Sequence, residues 1–162
     1  MNAIDIVVPA YIPTETHYEH LIKALESVQK QTFTDFNLIV VINGCDLTID
    51  NPVMKDKRFK QVTIPKIEGK CGAAVARNYG IKQGKAKYVA QLDADDIYHE
   101  KKLEIQYNFM EKNSGCSLVG TYAYNIEEDG TITKGAPIFS IGQFSSIIIT
   151  QPLPQIHEQI KK

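Results

Sequence analysis

AKYVAQLDADDIYHEKKLE, running from Ala86 to Glu104, reads as a buried strand that stops at a cluster of acids. The strand is Tyr88 to Leu92, and the acids are Asp93, Asp95 and Asp96. An amphipathic helix starts near His99, with Leu103, Tyr107 and Met110 on its inner face at i, i+4 and i+7. Three carboxylates within four residues repel one another, and a divalent cation is the simplest group to offset that. In open α/β sheets, ligands bind just outside the carboxyl ends of strands. A solvated acidic turn leading into a helix would use the same residues, because Asp also favours turns and helix N-termini. The flanking sequence has to decide between the two.

Just upstream, Gly72 to Gly84 (GAAVARNYGIKQG) reads as a small-residue helix whose Ala73, Ala74 and Ala76 allow close packing on a sheet. Further back, Ile4 to Val8 is a short apolar run and a buried strand, ended by Pro9 and a stiff loop to Pro13. A helix over Tyr18 to Gln31 follows, with Thr14 or Thr16 as its cap and Leu21, Leu25 and Val28 inward. Phe36 to Ile42 is a second strand, and Asn43 to Asp46 its turn. Asp50 to Lys57 is a short helix, Phe59 to Ile64 a third strand closed by Pro65, and Lys66 to Cys71 a polar loop. Downstream, Cys116 to Ile126 is rich in β formers, and Glu128-Asp129-Gly130 turns into Thr131-Ile132-Thr133 as a hairpin. Beyond Gly135 the pattern weakens, broken by Pro137, Pro152 and Pro154. Strands alternating with helices predict an α/β fold: a mostly parallel central sheet with helices on both faces and a ligand crevice at its switch point.

A chain of 162 residues suits one domain, and 43% hydrophobic with 23% charged residues is ordinary for a globular protein. The net charge of −1 and the lack of a basic stripe argue against nucleic acid as a partner. The densest basic run, Lys55 to Lys60, is interrupted by Asp56 and reads as a solvated loop. Cys45, Cys71 and Cys116 are sparse and odd in number, which predicts free thiols and a cytoplasmic setting. Asp5 interrupts the first apolar run, so no signal peptide is read there. Ile147 to Ile149 is far short of a membrane span. His17 and His20 are three apart, but no third metal ligand stands near them.

Absent motifs narrow the chemistry. There is no G-x-G-x-x-G after the first strand, no Walker spacing before Gly69-Lys70, and no G-x-S-x-G elbow. IDIVVPAY, then ALESVQKQTFTDFNLIVV, then G-x-x-x-ARN-x-G from Gly72 to Gly80, then YVAQLDADD together resemble a family-2 glycosyltransferase of the GT-A fold, over roughly residues 3 to 130. The resemblance implies metal-dependent transfer of a sugar from a nucleotide diphosphate, a UDP-sugar by expectation, to an acceptor hydroxyl with inversion. It makes Asp95 the main ligand of Mn²⁺ or Mg²⁺, with Asp93 at the ribose or a metal-bound water. It places Pro9, Ala10, Tyr11 and Asn43 at the base, and Ala94 and Lys70 near the nucleotide. Arg77 would support the acids, although each of Tyr11, Lys70 and Arg77 also reads as an ordinary surface residue. Asp96 is expected to be structural.

Two departures qualify this. Relatives usually carry Asp where this chain has Asn43, which leaves the base identity open. Relatives also run well beyond 200 residues, and their second half supplies the acceptor site and a carboxylate base. On that reading residues 1–135 are the nucleotide-sugar-binding domain, 136–162 begin an incomplete acceptor region, and the base lies beyond Lys162. The acceptor, whether glycan, lipid or protein, is not legible. A rival reading is a non-catalytic sugar-nucleotide-binding or scaffolding module; a more distant one is a sugar nucleotidyltransferase.

Overall fold

The computed structural model describes residues 2–64, 72–121, 123–127, 129–134 and 147–150. Its centre is β1 (Ile4–Ala10), every residue of which is buried. β1 pairs in parallel with β2 (Phe36–Asn43) on one side and with β4 (Tyr88–Gln91) on the other. β3 (Phe59–Ile64) extends the sheet beyond β2, again in parallel. On the far side of β4 lie β8 (Ile147–Thr150) and β5 (Leu118–Gly120), giving the order β3-β2-β1-β4-β8-β5. β8 is antiparallel to both neighbours, so among the described residues it is the one reversed strand in a mostly parallel sheet. β6 (Tyr124–Ile126) and β7 (Ile132–Lys134) form a separate hairpin, turned at Gly130 with φ +82.

Pro9 does not end β1 as expected; it lies within it, opposite Val41. The reason is local. The Leu92 N–H donates to the Val7 carbonyl at 3.2 Å, so Val7, and Pro9 two residues on, face the β4 side. Pairing with β4 stops at Val7–Gln91, and no ladder bond is lost where proline has no N–H to give.

Side chains alternate across the sheet with period two. Ile4, Ile6, Val8, Leu38, Val40 and Ile42 face Leu21, Leu25 and Val28 of α1 (Glu15–Gln29) and Leu103 and Met110 of α3 (Lys102–Lys112). Val7, Ile39, Val41 and Val89 face Ala76 and Ile81 of α2 (Ala73–Gln83) on the other side. α1 begins three residues before the expected Tyr18. Thr14 takes the N-cap backbone shape, but its hydroxyl meets His17 Nδ1 at 2.7 Å instead of a backbone N–H. α2 packs through Ala76 and Gly80; Ala73 and Ala74, expected to help, are exposed. A Cβ on Gly80 would fall 2.5 Å from Val7 Cγ1 and 2.9 Å from Val41 Cγ2, so only glycine permits this approach.

A carboxylate is buried in this apolar frame. The Asp5 carboxylate accepts from the Lys85 and Ala86 N–H groups at 2.6 and 2.7 Å and from Asn37 Nδ2 at 3.0 Å. It fastens the α2–β4 connection to β1 and β2, and it is only 1% exposed. A Cβ on Gly84 would lie 2.3 Å from Asp5 Oδ2, an atom held by these donors and not free to yield. Gly84→Ala and Asp5→Ala are therefore both expected to destabilise the fold, by roughly 2–4 kcal/mol for loss of the carboxylate, since buried donors are left unpaired. Urea unfolding of the two variants checks this; midpoints within error of the parent would show that Asp5 is not a fastening point.

Candidate functional site

Because β1, β2 and β4 run parallel, their carboxyl ends reach the same edge of the sheet. Pro9, Ala10, Tyr11 and Asn43 line one cleft there, of about 370 Å³. Gly44, Gly72, Ala73 and Ala76, which the sequence reading did not assign to the site, complete its lining. Their signal was present: a glycine followed by small residues, at a helix start beside the strand ends. Tyr11 is 61% exposed, and its ring runs along Gly44, where a Cβ would sit 3.6 Å from it. Gly44 has φ +84, a conformation that favours glycine.

Asn43 is buried at the bottom of this group, 5% exposed. Its Nδ2 donates to the Gly72 carbonyl at 3.0 Å. That bond fixes the amide, because the reversed orientation would set two oxygens against each other. Oδ1 is then buried with no partner among the described residues. An unpaired buried acceptor is costly, so it marks a place where an incoming N–H would be stabilised.

The acidic turn follows β4. The Asp96 N–H donates to the Asp93 carbonyl at 3.1 Å, closing a four-residue turn. Tyr98 braces its exit: the hydroxyl donates to the Gln91 carbonyl at 2.6 Å, and the N–H donates to Ser27 Oγ at 3.0 Å. Arg77 Nη2 of α2 donates to Asp93 Oδ1 at 2.5 Å, with both side chains about 30% exposed. Arg77 Nε is buried without a partner among the described residues. Asp95 is exposed, Ala94 half-buried against the core, and Asp96 half-buried. Burial, then the charges of Asp93 and Asp95, push the Asp96 carboxyl up to about 6. The repulsion read from the sequence is thus present, and one guanidinium offsets part of it.

Among the described residues, no three His, Cys, Asp or Glu side chains gather as a ready metal cage. The carboxylates of exposed Asp95 and half-buried Asp93 nevertheless suit a hard divalent cation that takes most of its ligands from a bound anion. His17 and His20 are exposed on α1. Lys70 lies outside the described residues. No helix among the described residues is long and apolar enough to cross a membrane. Lys102 went unnoticed in the sequence. It is buried at the start of α3, with Nζ bonded to Gln106 Oε1 and 4.4 Å from the centre of the Tyr98 ring.

The profile described as glycosyl transferase family 2 matches residues 5–156. An uncharacterized glycosyltransferase of Methanocaldococcus jannaschii is 32% identical over 133 residues, 81% of this chain and 45% of that protein. The poly(ribitol-phosphate) beta-N-acetylglucosaminyltransferase TarP of Staphylococcus aureus is 37% identical over 122 residues, 71% of this chain and 36% of that one. This chain therefore spans less than half of either relative. Among solved structures, S. aureus TarS in complex with UDP superposes with a TM-score of 0.66 over 87% of this chain and 40% of that chain, at 19% identity. A Pyrobaculum calidifontis mannosyltransferase holding GDP-Man and Mn²⁺ superposes at 0.55 over 74% of this chain and 35% of that chain, at 14% identity.

Lys102 provides a pH test of the packing behind the turn. Burial lowers its pKa from 10.5 to about 7. Between those values the unfolded chain binds more protons than the native one, so stability rises with pH across that window and the penalty is complete below about 7. The thermal midpoint of Lys102→Met, measured relative to the parent, should therefore be higher at pH 6.5 than at pH 9.5. A difference that does not change with pH would place the Lys102 ammonium in water.

Proposed function

The chain belongs to glycosyl transferase family 2, and from that premise we propose that it binds a nucleotide-diphosphate sugar, a UDP-sugar, for transfer to an acceptor hydroxyl. The observation that carries this is the placing of the Asn43 cleft and the Asp93–Asp96 turn at the carboxyl ends of neighbouring parallel strands, spanned by α2. The cleft has the chemistry for a base: an aromatic ring at Tyr11, small residues along the lining, and one buried acceptor. The turn has the chemistry for the diphosphate end.

Mn²⁺ or Mg²⁺ would be held by Asp95, with Asp93 beside it, and supplies Lewis acidity to a diphosphate leaving group. Arg77 holds Asp93 in place and keeps one carboxylate from repelling the donor's phosphates. Transfer breaks the bond from the anomeric carbon to the diphosphate oxygen and forms one to the acceptor oxygen. In-line displacement inverts the carbon, and the acceptor's proton goes to a general base. Residues 1–135 act as the donor-binding unit and 136–162 as the start of the acceptor side. The acceptor is a glycan, lipid or protein, and the setting is cytoplasmic.

The second reading is a sugar-nucleotide-binding or scaffolding module without turnover. Nucleotide diphosphate release, measured with and without an acceptor panel, separates the two. Acceptor-dependent release supports the enzyme; tight binding with neither release nor transfer supports the module.

Donor binding is expected to be metal-coupled. In titration calorimetry with a UDP-sugar, Mn²⁺ should strengthen binding to the parent chain. Asp95→Ala should abolish that gain and leave the thermal midpoint within about 2 °C, because the side chain is exposed. Equal affinity in chelator and in Mn²⁺ would sink the metal reading.

A further inference from the structure

Among the described residues, two buried side-chain polar atoms lack a partner: Asn43 Oδ1 and Arg77 Nε. One is an acceptor and the other a donor. Both belong to residues that fasten the same helix. Asn43 Nδ2 holds the Gly72 carbonyl at the N-cap of α2, and Arg77, in the middle of α2, holds Asp93. Five residues separate the fastenings, about 7.5 Å along the axis. The first turn of α2 is otherwise held by the Ala76 N–H, which donates to the same Gly72 carbonyl at 3.1 Å, and by buried Ala76; Gly72 has φ +129, no side chain among the described residues caps the helix, and Ala73 to Val75 are exposed.

We propose that Asn43 is a positioning residue that couples base recognition to the acidic turn through α2. The claim rests on the nucleotide reading above and goes beyond it. A base N–H that donates to Oδ1 satisfies the first orphan and polarises the amide, which strengthens its bond to Gly72. A firmer first turn orders α2 and with it Arg77, whose Nε–H is then presented to an anionic oxygen. A single nucleotide carries both complements, an N–H on its base and anionic oxygens on its phosphates. The two ends of the ligand therefore bind cooperatively, each leaving less disorder for the other to remove.

Asn43→Asp separates the two functions of the amide. A carboxylate still accepts from a base N–H, but it cannot donate to the Gly72 carbonyl and repels it. If Asn43 only touches the base, this change preserves or tightens binding of uridine and weakens UDP only through the added charge, a loss that high salt screens. If Asn43 also tethers α2, uridine binding survives while the additional affinity for the diphosphate falls by about fivefold, the scale of one hydrogen bond.

The test uses the 162-residue chain with uridine and UDP in Mg²⁺, followed by NMR at the Arg77 Nε–H (assigned with Arg77→Lys) and the Ala76 amide. Uridine has no phosphate to reach Arg77. It should nevertheless shift both signals in the parent chain and only the Ala76 amide in Asn43→Asp, where the ratio of uridine to UDP dissociation constants should also drop. Uridine shifting Ala76 but not Arg77 in the parent overturns the coupling and leaves the nucleotide reading standing. Uridine and UDP shifting neither signal overturns both. The parent's own response decides the matter should Asn43→Asp fail to fold.

Discussion

Strand β1 is held by parallel ladders on both sides and by apolar packing on both faces, and the rest of the molecule takes its position from it. Parallel pairing forces β2 and β4 to deliver their carboxyl ends to the edge where β1 delivers Ala10. A slip of one residue would reverse every side chain of β1, exchanging the face that meets α1 and α3 for the one that meets α2. The buried Asp5 opposes that slip. It sits opposite Asn37 in the register and bonds to it, while its other oxygen holds the start of β4 through Lys85 and Ala86. A carboxylate in an apolar strand is costly unless its oxygens find donors, and the native register supplies three.

The same edge then concentrates charge. Asp93, Asp95 and Asp96 follow β4 within one turn, and the Asp96 carboxyl is raised toward neutrality by burial and by its two neighbours. Folding tolerates this because Arg77 approaches from α2, and α2 approaches closely because Gly80 has no side chain to meet Val7 and Val41. A glycine one turn along the same side of the helix thus controls where the guanidinium can reach.

Much of this was legible in the sequence, for identifiable reasons. Phe59–Ile64 matched its strand to the residue, and Gly72 and Gly84 bracketed α2 as its caps, because local propensity and fold agree there. Pro9, Ala10, Tyr11 and Asn43 come together since parallel strands must end at one edge. The misses are non-local. β8 is four residues with no alternation, and its place between β4 and β5 depends on pairing that no local pattern encodes. Lys102 stands in a Lys101-Lys102 pair that reads as solvated. Only its stripe with Gln106 and Met110, at i, i+4 and i+8, hints at burial. α3 starts at Lys102, three residues after the expected His99; the His99 carbonyl accepts from the Lys102 N–H in a turn that leads into the helix.

The neutral side chain at position 43 also fits the electrostatics of this edge. A carboxylate there would stand on the same strand-end shelf as the three acids, and only Arg77 pairs with that group among the described residues. Each added negative charge raises the cost of bringing in a polyanion and of keeping its neighbours ionised. An amide avoids that charge and still offers a carbonyl, and its N–H₂ supplies a bond to Gly72 that no carboxylate could make. The usual objection to Asn, that a neutral acceptor binds more weakly than a charged one, holds only if the side chain has a single partner. Here it has a backbone carbonyl on one side and an open acceptor on the other, so charge at the base is exchanged for order in the helix that carries Arg77.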